Sequence, residues 1–158
     1  MSKEKIANWV NKLALVNLMI LAFLGVVLRY KIAFSLPFIQ QKHLLHGHSH
    51  FAFSGWVSQM IMTCILLTFQ AHISNKLNSI FQRILILNAL FSYAQLIAFT
   101  LQGYGLYSIV FSSITTVMSY YFGILFWQIC NKSIHHQGAK FFKAAIVFNM
   151  ISSIGTGS

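Results

Sequence analysis

The chain has 158 residues, 57% of them hydrophobic, 15% aromatic and only 8% charged, and its eleven Lys and Arg face a single acid, Glu4. A soluble domain carries roughly 25% charged residues, so this composition excludes an ordinary soluble domain and points to a polytopic membrane protein. The bases sit between apolar runs and not along one polar face, so they read as topology determinants and lipid-headgroup contacts; a nucleic-acid partner is not expected.

A helical span needs about 20 apolar residues. The first candidate is 13–30, preceded by lysines but followed by no small-x-small cleavage site, so it reads as an uncleaved span. "KIAFSLPFIQQK", which holds the only proline, Pro37, follows as an interfacial connector. The second span is 44–69, the third 81–101 and the fourth 106–129, with "QGYG" (Gln102 to Gly105) a tight turn between the last two. A fifth apolar run, 141–154, is too short to cross, and its stop without a flanking charge or aromatic anchor reads as a chain continuing into further helices. The expected fold is therefore all-α, a single membrane domain of four complete spans plus a partial fifth.

With alternating spans, Lys3, Lys5, Lys12, Lys76, Arg83, Lys132, Lys140 and Lys143 fall on one side, and Arg29, Lys31 and Lys42 on the other. The excess marks the N-terminal side as cytoplasmic, and the expected location is a bacterial inner (cell) membrane. Alkaline phosphatase fused after Gln41 is then active, and fused after Ser79 or Gly138 inactive; the reverse pattern would invert the topology.

Two stripes mark the spans. Ser112, Thr116, Ser119 and Gly123 recur at three- and four-residue steps, as in helices that approach closely in lipid. Asn88, Ser92 and Gln95 form a polar stripe that reads as an interhelical hydrogen-bond seam. Cys64 and Cys130 form no CxxC pair and read as small packing residues. No acid lies in a span, which argues against carboxylate-based proton or cation transport.

The densest chemistry is "KHLLHGHSHFAFSGW", Lys42 to Trp56. At about 100° per helical residue, His43, His46 and His50 fall within roughly 60° of one another and His48 points away. Four readings stand beside one another. The histidines could be hydrated interfacial groups, or a pH sensor. His46 and His50, at i and i+4 and joined by His43, could hold Zn or Cu, as "HGHSH" resembles the His-rich loops of zinc transporters. Or His46 or His50 could ligate haem iron, with Phe51, Phe53 and Trp56 as aromatic walls and Arg29, Lys31 and Lys42 meeting the propionates.

"HGHSHFAFSGW" at the outer end of a second span resembles haem-copper oxidase subunit I. In that family a His-Gly step near the outer end of helix two supplies a ligand to the low-spin haem, with phenylalanines soon after. The matching residues are His46 and Gly47, then Phe51 and Phe53, with His50 the ligand if the register shifts by one turn. The resemblance implies a haem-binding, oxidase-like component in electron transfer or haem handling. That family draws its remaining haem and copper ligands from later helices. Spans one, three and four here contain no histidine, and His72, His135 and His136 fall on the opposite side. The expected partners are therefore the lipid bilayer and either further helices of a longer chain or a second copy in a homodimer. A non-catalytic interaction module whose histidines sit at the interface is the alternative.

Overall fold

The computed structural model describes residues 3–69, 73–133 and 137–154; His72, His135 and His136 lie outside them. Most of the described residues are helical, and none of them is in a strand. The elements are α1 (Lys3–Ala33), α2 (Gln41–Phe51), a π segment (Ala52–Ser58), α3 (Gln59–Phe69), α4 (Asn75–Gln102), α5 (Leu106–Ser133) and α6 (Gln137–Ile154). Among the described residues four helices are long and apolar enough to cross a membrane: Trp9–Ala33, Gln41–Phe69, Asn75–Gln102 and Leu106–Asn131. The second of these contains α2, the π segment and α3, and begins three residues before the 44–69 expected, so His43 is helical. The 141–154 run lies within α6, which has 18 residues.

The connections follow local chemistry. After α1 the chain turns through Pro37, and Lys31 Nζ donates to Leu36 O at 2.7 Å, holding the connector against the helix end. Ser74 caps α4, its Oγ accepting from the Leu77 N–H. Between α4 and α5 Gly103 takes φ +65°, a left-handed conformation that a side chain resists. A Cβ at Gly103 would also come within 2.5 Å of the His43 ring, so glycine is required twice there.

Lipid tails are as apolar as leucine, so burial does not drive these helices together; packing and buried hydrogen bonds do. One end of the bundle is an apolar cluster from α3, α4, α5 and α6, with Phe69 on Phe126 (centroids 5.1 Å apart) and Phe81 on Phe122 (4.8 Å). Leu15, Met19, Phe23 and Val26 remain exposed along α1, forming its lipid-facing stripe. At the end of α5, Lys143 Nζ donates to Asn131 Oδ1 at 2.7 Å and lies 5.2 Å from the Trp127 ring centre, an arrangement suited to the membrane interface.

The middle of the bundle is polar. Asn88 Nδ2 donates to Ser54 O (3.1 Å) and Gln59 Oε1 (2.8 Å), and Gln59 Nε2 to Leu85 O (3.1 Å). Gln95 Oε1 accepts from Ser54 Oγ (3.1 Å) and Thr115 Oγ1 (3.3 Å). Asn17 Nδ2 donates to Gly55 O and accepts at Oδ1 from Tyr93. Asn88 and Gln95 thus form the seam expected of the polar stripe, while Ser92 Oγ, fully enclosed, finds no partner among the described residues.

The seam fastens onto the π segment. A π turn disturbs the i→i−4 ladder, and the carbonyls of Ser54 and Gly55 take side-chain donors from α4 and α1. Gly55 is what lets the turn close: a Cβ there would stand 2.6 Å from the Phe51 ring, which folds back over it. Nothing in the apolar period of 44–69 announces this widening.

Candidate functional site

Four residues at successive four-residue steps, His46, His50, Ser54 and Ser58, line one cleft. In a regular α-helix each such step overshoots a full turn by about 40°, and the set would drift off one face. The wider π turn between Ala52 and Ser58 offsets that drift. The cleft has a volume of about 760 Å³ and lies between α2 with its π segment, α4 and α5.

At the end nearest the α4–α5 turn its walls are rings. The His50 imidazole stacks on Phe99 with centroids 4.2 Å apart and planes 11° from parallel. Tyr104, carried on the Gly103–Gly105 turn, stands edge-on to His46 (4.6 Å) and Phe99 (5.2 Å), and its Oη lies 3.3 Å from His50 Nε2. His46 Nε2 is enclosed and has no hydrogen-bond partner among the described residues. Deeper in, the lining turns to hydroxyls: Ser54, Ser58, Ser112, Thr115, Thr116 and Ser119, with the Gln95 amide among them.

The histidines divide by face. His46 and His50 enter the cleft. His43 lies against Gly103, and His48 faces α1, where a Cβ on Gly25 would be 3.6 Å from its Cε1. Among the described residues no three His, Cys, Asp or Glu side chains gather as a ligand set, so His43 does not join His46 and His50 at one point. Of the aromatic residues expected around a cofactor, Phe53 lines the cleft. Phe51 is fully buried against Tyr93, with ring centres 5.4 Å apart, and Trp56 and Arg29 are not in the lining; Arg29 is exposed on α1.

The stripe Ser112, Thr116, Ser119 and Gly123 also differs from expectation. Its first three members face the cleft, and only Gly123 is buried. Hydroxyls on a transmembrane helix suit either close packing or a polar lining, and the period alone does not separate the two.

Phe99 and Tyr104 are the residues that reading the sequence missed. They lie about fifty positions from the histidines, and only the antiparallel return of α4 brings them there. "QGYG" was legible as a turn, and an aromatic ring between two glycines was the available sign that the turn presents something.

These features define an all-α integral membrane protein with an imidazole-bearing cleft. No family model, curated protein or solved structure matches the chain.

Proposed function

We propose that the chain is a haem-binding, oxidase-like membrane component that serves electron transfer or haem handling, with His46 Nε2 as the iron ligand. The observation carrying this reading is that His46 stands on the wall of a cofactor-sized cleft and that its Nε2, enclosed, has no hydrogen-bond partner among the described residues. Cofactor sites run to about 300–1,000 Å³ and are mostly walled by apolar and aromatic side chains, and imidazole is a common axial ligand. Phe53, Phe99, Ile109 and Val117 give such walls. The resemblance of "HGHSHFAFSGW" to haem-copper oxidase subunit I supports the same residue.

The donor set fits a flat group held from one side. His50 is engaged by Phe99 and Tyr104. As the i+4 neighbour of His46 it lies on the same helix face, so it would line the group and not hold its iron, and the cleft as described offers one imidazole ligand. Haem would supply a one-electron centre. The chain's own part is to present the His46 imidazole and to wall off the iron with Phe99 and Tyr104. With the N-terminus in the cytoplasm, as the distribution of bases favours, the ring-walled end faces outward.

The protein purified in mild detergent from haem-replete cells is expected to show a Soret band that shifts on dithionite reduction. A complete protein without Soret absorbance would overturn the proposal.

A further inference from the structure

The inner part of the cleft carries chemistry that the haem reading leaves unused. Asn88 and Ser92 are enclosed, at 0% and 1% exposure, yet Asn88 Oδ1 and Ser92 Oγ have no partner among the described residues. They stand one turn apart on one face of α4. An enclosed acceptor and an enclosed hydroxyl without partners are unfavourable in any protein interior, and lipid offers them nothing. Water satisfies such groups when the site is polar and presents about two to four partners.

The same face of α4 continues to Gln95, which lines the cleft. Ser54 joins the two regions, since its Oγ donates to Gln95 Oε1 while its carbonyl accepts from Asn88. On the far wall the hydroxyls of Ser112, Thr116 and Ser119 follow α5 inward. Ser119 is midway along the Leu106–Asn131 span and Asn88 midway along Asn75–Gln102. A polar lining therefore continues from the ring-walled end of the cleft to the midpoint of these two spans. Thr116 Oγ1 and Ser119 Oγ donate to the α5 carbonyls of Ser112 (3.0 Å) and Thr116 (2.9 Å), which leaves their oxygen lone pairs to accept from water in the cleft.

We propose that the cleft is a water-filled vestibule, open at the α4–α5 turn, which ends at mid-membrane in a water-binding site formed by Asn88 Oδ1 and Ser92 Oγ. The vestibule does not depend on haem, because its inner lining and the Asn88–Ser92 pair lie beyond His46 and His50.

The test is hydrogen–deuterium exchange of single thiols in the membrane-embedded protein, read from the infrared S–H and S–D bands. Cys64 and Cys130 are replaced by alanine, and Ser92→Cys, Ser119→Cys and Leu90→Cys are compared; Leu90 faces outward from the bundle. On transfer to D2O, Ser92→Cys and Ser119→Cys should exchange at least about tenfold faster than Leu90→Cys, because exchange at a dry position awaits opening of the structure. If Ser119→Cys is fast and Ser92→Cys keeps the pace of Leu90→Cys, the water site at Asn88 and Ser92 is refuted. If both are slow, a lipid chain fills the cleft and the vestibule is refuted with it.

Discussion

His46→Ala is expected to abolish the Soret band of the proposed haem, whereas His48→Ala should leave it unchanged and His50→Ala should shift it without removing it. The order follows from where the three imidazoles lie. Of the three, only His46 combines a place in the cleft wall with an enclosed Nε2 that has no hydrogen-bond partner among the described residues. His50 is held flat on Phe99 with its Nε2 against Tyr104, so its loss alters the wall around the cofactor. His48 faces Gly25 of α1, on the other side of the helix. Losing a residue that merely supports a metal ligand costs about 10–100-fold in affinity, and losing the ligand itself should exceed that. Absorbance per chain after one purification protocol is the measurement. A His46→Ala protein with full haem content would remove His46 from the ligand set, and a requirement for His48 would mean that the cleft is not the site.

Asn88→Ala should be the most destabilising single change in the polar seam, and clearly worse than Gln95→Ala. Both side chains are enclosed, but they serve different partners. Asn88 Nδ2 satisfies Ser54 O and Gln59 Oε1, neither of which gains a donor when the amide is gone. Gln95 Oε1 only accepts from Ser54 Oγ and Thr115 Oγ1. Each of those hydroxyls already has a backbone carbonyl within one turn, His50 O at 2.9 Å and Ser112 O at 2.9 Å. Interhelical hydrogen bonds in membranes are worth about 0.6 kcal/mol on average and up to about 1.7, so the two Asn88 bonds together amount to about 1–3 kcal/mol. SDS titration followed by circular dichroism reads the difference. Equal midpoints for Asn88→Ala and the parent protein would show that the seam does not hold the π segment.

How much of this was legible depended on distance along the chain. The spans were readable because apolar length is a local property, and the helices found at Trp9–Ala33, Gln41–Phe69, Asn75–Gln102 and Leu106–Asn131 each contain the corresponding expected run. The division of the histidines was also local. One helical turn fixes that His46 and His50 share a face and that His48 does not. The π segment was hidden because its causes are tertiary: the carbonyls of Ser54 and Gly55 are satisfied by Asn88 and Asn17, which lie 34 and 38 positions away. The partners of the histidines were hidden for the same reason. Phe51, Phe53 and Trp56 are adjacent in sequence, but their faces differ, and only Phe53 reaches the cleft. The rings that do face the imidazoles, Phe99 and Tyr104, arrive from the end of α4.

The most direct test of the central claim, that His46 holds haem iron from one side of this cleft, is low-temperature electron paramagnetic resonance of the oxidised, detergent-purified protein. A single imidazole leaves the ferric iron high-spin, and that signal, lost in His46→Ala, is the expected result. A low-spin signal of two strong-field imidazoles that survives His46→Ala, or no haem iron signal at all, would contradict the account.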